Sequence, residues 1–160
     1  VDVVLNDLRR AFSDEYADIP LVQSRCFIEL STRNAISELD GVEIADLKNM
    51  PCILVASKGQ RKNERSYYRD VVGFRGEFLF ADSIQDARML VVSNQGFMPI
   101  EGVRGSDFYG STLKRIPLLR EGNQVRRTYY AFWKKDNPGC YMELFAEILK
   151  AQFADADASY

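Results

Sequence analysis

The chain has 160 residues, 46% of them apolar and 28% charged, so a folded domain with a sizeable hydrophobic core is expected. The net charge of -2 and the pI of about 5.3 argue against a surface that binds a phosphate backbone. Histidine, the commonest general base and metal ligand, does not occur, and no apolar run approaches the roughly eighteen residues of a membrane helix.

Seven segments rich in β-branched and aromatic residues are predicted strands, because Gly, Pro, Asn or Asp bound them. In chain order they are 1–5, 25–30, 51–57, 77–81, 96–100, 113–119 and 125–133. Helical patterns lie between several of these strands, and such alternation predicts an α/β fold with mostly parallel sheets.

Three helices are predicted from apolar spacing and from their starting residues. Asn63 is a candidate cap for the first, which would carry Tyr67 and Tyr68 on one side. Asp82 or Ser83 is a candidate cap for the second. The third follows the turn DNPG and carries an apolar stripe; the tail 154–160 lacks periodicity and is expected to be loose. The stripe is Met142, Phe145, Ala146, Leu149 and Phe153.

The stretch RRTYYAFWKKDNPG at 126–139 interleaves cations and aromatic residues, a pattern found in nucleic-acid binders. In a strand, however, it places apolar bulk on both faces, which is typical of a buried strand with solvated ends. The acidic net charge favours the buried strand, so this stretch is interpreted as core rather than as a nucleic-acid surface.

The three cysteines, Cys26, Cys52 and Cys140, are odd in number and lack CxxC spacing, which fits a reducing cytoplasm. Cys26 and Cys52 lie inside predicted strands with no histidine to activate them, so they are expected to be buried and structural. Asp, Glu and Cys do not cluster at metal-ligand spacing. The sequence therefore predicts no enzyme, no metal site and no cofactor.

The predicted strand and helix near the end of the chain resemble those of LysR-type transcriptional regulators. IPLLREGNQVRRTYYAFWKKDNPGCYMELFAEIL (116–149) is similar to the closing strand and helix of that family's effector-binding domain. SIQDARMLVVSNQGFMPIEG (83–102) resembles the family's LVAAGxGIxLLP segment, with Pro99 and Ile100 in place of the usual ending. EIADLKNMPCILVAS (43–57) resembles its "DL…P.I" strand entry.

The resemblance implies a two-lobed α/β fold like that of type 2 periplasmic binding proteins, with a ligand between the lobes. Lobe one would comprise 1–6 and 96–153, and lobe two 7–95. The family's DNA-binding winged helix-turn-helix, its linker helix and the first strand and helix of its effector domain have no counterpart in these residues. Lobe one is accordingly expected to be incomplete.

Candidate ligand-binding residues follow predicted strands, where polar groups and helix starts converge in such folds. One set opens the first helix and could hold a carboxylate or phosphate, although an ordinary capped loop explains it equally well. The resemblance adds residues at the two expected lobe crossings. The full set is Ser57, Lys58, Gln60 and Asn63 after the third strand, Asn6 and Asp7 at the first crossing, and Asn94, Gln95, Gly96 and Phe97 at the second.

The expected function is ligand sensing by a cytoplasmic regulator. A small-molecule effector, for which an anion is a candidate, would alter dimer or tetramer geometry, and DNA would be bound only through a separate N-terminal domain. A homodimer is expected, and no membrane partner. A free-standing solute-binding protein of the same fold is the alternative. A peroxide-sensing branch of the family uses two lobe-two cysteines, so a disulfide switch also stays open.

Overall fold

The computed structural model describes residues 3–7, 14–102, 110–136 and 141–158. The strands are β1 Val4–Asp7, β2 Tyr16–Ser31, β3 Val42–Glu43, β4 Cys52–Val55, β5 Phe78–Ala81, β6 Met98–Gly102, β7 Leu113–Arg120, β8 Asn123–Gln124 and β9 Arg126–Lys134. The α-helices are α1 Arg61–Ser66, α2 Ile84–Val92 and α3 Tyr141–Ala158. Short 3-10 helices span Ala35–Glu38 and Ile44–Leu47, and one π-helical turn, Tyr67–Val72, continues α1.

The chain divides into two compact units, and β2 runs from one into the other. The first unit comprises Val1–Ser24 and Arg126–Tyr160, and the second comprises Arg25–Val125. The expected lobes, which divide at residues 6 and 96, are a different division of the chain and stay a prediction. β6 and β7 pair with the carboxyl-terminal half of β2, so both strands belong to the second unit.

In the first unit, β9 lies between β1 and β2. β1 pairs antiparallel with β9, and Ala131 and Phe132 of β9 are buried, whereas Arg126 and Lys134 at its ends are exposed. Lys135 N donates to Glu15 O at 2.8 Å. The RRTYYAFWKK stretch is thus a sheet strand with solvated ends, as predicted.

Helix α3 in the first unit is longer and less buried than its pattern predicts. It continues to Ala158, so the expected loose tail is helical through that residue; the alanines there favour a helix because Ala has the highest helix propensity. Of the predicted apolar stripe, Ala146 is fully buried but Phe145 is 47% exposed. Leu144 and Ile148 are also exposed, at 58% and 50%.

In the second unit, β2 pairs antiparallel with β6 and with β7, while β7 pairs parallel with β3 and antiparallel with β8. The prediction of mostly parallel sheets is therefore wrong for this sheet. The alternation of strands and helices in the sequence does not determine whether a later strand pairs parallel or antiparallel with β2. Parallel pairing is found between β4 and β5, and in a bridge from Cys52 to Phe97.

The core of the second unit forms on both sides of these strands. One cluster, which includes Ile28, Leu30, Phe74 and Phe97, lies on one face of β2. A smaller cluster lies under α2 and contains Ile53, Ala81, Ala87, Val91, Met98 and Leu113. Ser83 caps α2 as predicted, because its hydroxyl accepts from Asp86 N at 3.1 Å.

Candidate ligand pocket in the second unit

Three parallel chain segments end at a common edge of the second unit. β5 pairs with β4 from Cys52↔Phe78 to Val55↔Ala81. On the other side of β4, Ile53 N donates to Phe97 O at 2.8 Å, so the segment entering β6 runs parallel to β4. The chain leaves this edge toward α1 after β4 and toward α2 after β5. In α/β folds this carboxyl-terminal edge is where small ligands bind.

A pocket of 220 Å³ lies at this edge, between β4, β6, α1 and the start of α2. Val55 and Ile84 are each 42% exposed, so the pocket opens to solvent beside them. Two polar side chains, Glu64 and Tyr68, line it. The rest of the lining is apolar: Ile53, Leu54, Val55, Ile84, Met98, Pro99 and Ile100.

Tyr68 is held in the pocket wall by the π-helical turn. Its carbonyl accepts from Gly73 N and Phe74 N, both at 3.0 Å, and Gly73 ends the turn in the left-handed region with φ 104°. The Tyr68 ring stacks on Phe74 at 5.9 Å between centroids, and Phe74 meets Phe97 edge-on at 4.9 Å. Because Phe74 and Phe97 are buried, the wall that carries Tyr68 is firmly packed.

A buried ionic cluster lies behind the opposite wall. Glu29 is fully buried on β2, opposite Met98 in the register. Its carboxylate accepts a bidentate pair of bonds from Arg88, both at 3.0 Å, and one from Arg115 at 3.1 Å. Arg88 lies one helical turn after Ile84, so the cluster fixes α2 against the sheet next to the pocket.

The loop between β4 and α1 is clamped by Arg61. Its Nε donates to Ala56 O at 3.3 Å and its Nη2 donates to Asp82 Oδ1 at 3.0 Å. The guanidinium also lies 5.4 Å from the centroid of the Phe80 ring. Arg61 therefore joins the loops that follow β4 and β5.

The predicted residues after β4 lie at the same edge but do not line the pocket. Ser57, Lys58, Gln60 and Asn63 are all exposed. The Ser57 hydroxyl donates to Gln60 Oε1 at 2.9 Å, and Ser57 O accepts from Gln60 N at 2.9 Å. Asn63 is inside α1 and does not cap it, because the helix already begins at Arg61.

The second predicted set lies at the opposite, amino-terminal end of the parallel segments. Phe97 bridges Cys52 at the start of β4, about 10 Å from Val55 at the strand's rise per residue. Gly96 has a packing role, since a Cβ there would lie 2.3 Å from Pro51 O, and Phe97 is fully buried. The structure therefore does not bring Asn94 and Gln95 to the pocket edge.

The remaining predicted residues, Asn6 and Asp7, lie in the first unit. In β1 they pair with Tyr130 and Tyr129 of β9. The Asp7 side chain lies outside the described residues. Their ligand role stays a prediction.

Sequence reasoning missed the residues that do line the pocket. Glu64 and Tyr68 are four residues apart, a spacing that places two side chains on one helical face, and this signal was available. Met98, Pro99 and Ile100 were assigned only to a strand. Their part in the pocket depends on pairing beside β4, which the sequence pattern does not show.

The cysteine environments do not favour redox chemistry. Burial, reinforced by the Glu101 carboxylate and opposed by Arg120, raises the pKa of Cys26 to about 12. Burial raises the pKa of Cys52 as well, and its side chain is fully buried. Both thiols are free and protonated near neutral pH, so neither presents the thiolate that reacts with peroxide. Cys140 lies outside the described residues.

Neither a metal-binding group nor a membrane-spanning helix is found in the described part of the chain. There, His, Cys, Asp and Glu do not gather in a group that could hold a metal ion. None of the helices there is both long and apolar enough to cross a membrane.

Comparison with solved structures relates the fold to bacterial regulators. The reduced OxyR regulatory domain from Pseudomonas aeruginosa superposes with a TM-score of 0.66 at 13% identity, covering 94% of this chain and 73% of that one. A mutant of Corynebacterium glutamicum OxyR gives 0.73 at 16% identity, covering 99% and 50%. HinK, a LysR family transcriptional regulator from Pseudomonas aeruginosa, gives 0.66 at 19% identity, covering 95% and 53%.

No protein-family model and no curated protein matches the sequence. The structural likeness is nevertheless consistent across several regulators and covers nearly the whole chain. The chain thus has the α/β fold of LysR-type regulatory domains, the type 2 periplasmic-binding-protein-like fold.

Proposed function

We propose that this chain is the ligand-sensing regulatory domain of a LysR-type transcriptional regulator, and that the 220 Å³ pocket binds its effector. The observation that carries the proposal is the pocket's place at the carboxyl-terminal edge of β4, within a fold shared with such regulators. The protein would act in the cytoplasm, which suits the free thiols of Cys26 and Cys52.

The pocket suits a small effector with an apolar body. A cavity of about 150 Å³ is enough for benzene, so 220 Å³ accommodates a somewhat larger molecule, on the order of ten non-hydrogen atoms. Its walls belong to five elements: β4, α1, the π-helical turn, the start of α2 and β6. A ligand that fills the pocket would therefore stabilise one arrangement of these elements over others.

Regulation would follow from this difference in stability. An effector that binds one arrangement better shifts the population toward it, and subunit geometry in a dimer or tetramer would carry the shift to a DNA-binding domain. The exposed Leu144, Phe145 and Ile148 on α3 support association through the first unit, because contiguous apolar surface favours pairing. Light scattering at tens of micromolar is expected to show a dimer; a monomer would contradict this part of the proposal.

The pocket itself is tested by blocking it. Val55→Trp adds an indole at the half-exposed rim, whereas Met89→Trp places one on α2 at a residue that is 67% exposed and does not line the pocket. Small compounds found by thermal-shift screening are expected to stabilise the wild type and Met89→Trp but not Val55→Trp. Equal stabilisation of all three proteins would move the effector site elsewhere.

A further inference from the structure

The charge of the pocket lining favours one class of effector. Among the described residues that line it, the one charged side chain is the carboxylate of Glu64, and the other polar side chain is the phenol of Tyr68. Neither Lys nor Arg is part of this lining. A carboxylate effector would therefore enter an apolar pocket against a like charge, which disfavours its binding.

Two cations on the helices beside the pocket, Arg61 and Arg88, are already engaged. Arg61 bonds to Asp82 and to the Ala56 carbonyl, and Arg88 bonds to Glu29. An anionic ligand would have to compete with these carboxylates. The exposed Lys58 lies outside the pocket lining and is surrounded by solvent, where a single ion pair contributes little.

Glu64 and Tyr68 are arranged to bind a ligand group that donates a hydrogen bond. They lie four residues apart along α1 and the π-helical turn, so both face the pocket from one wall. A carboxylate has about four acceptor positions, so Glu64 can accept from a ligand in addition to any bond within the protein. The Tyr68 ring is fixed by its stack on Phe74, and its face attracts a cation.

We propose that the effector is a compact apolar amine, whose ammonium group donates to the Glu64 carboxylate and whose hydrocarbon part fills the aliphatic side of the pocket. Ile53, Met98 and Ile100 would contact this part. The proposal rests on the proposed function, since it names the ligand class of the same pocket. It replaces the anionic effector expected from the exposed residues after β4.

The test compares four ligands of nearly the same shape: benzylamine, benzyl alcohol, toluene and benzoate. Binding to the wild-type chain is measured by calorimetry and by thermal shift at millimolar ligand. Benzylamine is expected to bind roughly tenfold more tightly than benzyl alcohol, because a charge-assisted hydrogen bond contributes more than a neutral one. Benzoate is expected to bind most weakly. This series needs no variant and so does not depend on a mutant's folding.

Variants then assign the preference to a residue. Glu64→Gln keeps the side-chain size and removes the charge, and it is expected to reduce benzylamine affinity roughly tenfold while leaving toluene unaffected. Glu38→Gln, at an exposed position outside the pocket, is the matched control and is expected to change neither. Equal loss of affinity for toluene and benzylamine in Glu64→Gln would mean that Glu64 only supports the wall, and would overturn the proposal.

The outcomes separate this inference from the proposed function. If toluene or benzoate binds at least as tightly as benzylamine and Val55→Trp abolishes that binding, the amine class is wrong and the pocket remains the effector site. If none of the four ligands binds, or if Val55→Trp binds them as the wild type does, both the amine class and the pocket are wrong.

Discussion

Replacing Glu29 with glutamine removes the carboxylate that joins the guanidinium groups of Arg88 and Arg115. Glu29 is fully buried, and the Arg115 side chain is only 10% exposed, so the charge left on Arg115 cannot be well solvated. Breaking a buried ion pair in this way costs about 3–5 kcal/mol. Arg88 is 36% exposed and can regain water, which places the expected loss near the lower end, at about 3 kcal/mol.

Urea denaturation followed by far-UV circular dichroism measures this loss. Dichroism is preferable to fluorescence because the one tryptophan, Trp133, lies in the first unit, whereas Glu29 lies in the second. With a denaturant dependence of about 2 kcal/mol per molar, the midpoint should fall by about 1.5 M.

A matched control breaks an ion pair of similar length on the surface. Asp70 bonds to Arg69 at 2.9 Å, but the two side chains are 54% and 48% exposed. Asp70→Asn should leave the urea midpoint unchanged, since exposed pairs contribute little. If Glu29→Gln shifts the midpoint no more than Asp70→Asn does, the buried cluster does not hold α2 against the sheet as argued.

The remaining predictions concern a glycine, the thiols and DNA. Gly96→Ala should lower the free energy of unfolding by about 1–3 kcal/mol, because the new Cβ would lie 2.3 Å from Pro51 O. Gly59→Ala is the control, since a Cβ at Gly59 would have no atom within 4 Å and should leave stability unchanged. Equal urea midpoints for the two variants would exclude the clash. The pKa of Cys26 is raised from 9.0 to about 12, so this thiol should resist alkylation at neutral pH. Because the thiol of the unfolded chain ionises first, the contribution of Cys26 to the free energy of unfolding should be lost as pH rises from 9.0 to about 12. The same pH dependence of stability in the wild type and in Cys26→Ala would contradict this. The chain alone should not shift duplex DNA in a gel at low salt, because its net charge is -2; tight binding would show a nucleic-acid surface that this account lacks.

Local chemistry was enough to predict most elements. The Ser83 cap, the strand at 113–119 and the strand with cationic ends at 126–134 all follow from side-chain type and spacing, although only Ala131 and Phe132 of the last strand are buried. The extent of β2 was not predicted, because Pro20 and the polar residues before Arg25 weaken the strand pattern there. Its pairing with β6 and β7 was not predicted either, because no local pattern encodes that pairing.

The residues that line the pocket were not predicted from the sequence, and the reason is physical. Ser57 and Lys58 follow β4 and lie at the same end of it as the pocket, but they do not line the pocket, and their ligand role stays a prediction. The pocket is formed mainly by aliphatic side chains that become neighbours through strand order, such as Val55 and Ile100. Gly96 was assigned to the second lobe crossing, and its close approach to Pro51 gives it a packing role.

The central claim, that a small effector binds in this pocket, is most directly tested by NMR of the chain labelled with ¹³C at the methionine methyl groups. Met98 lines the pocket, and Met89 is 67% exposed and does not line it. Titration with benzylamine and with benzyl alcohol is expected to shift the Met98 methyl signal with saturation while the Met89 signal stays in place. A Met98 signal that does not move, or that moves no more than that of Met89, would contradict the claim.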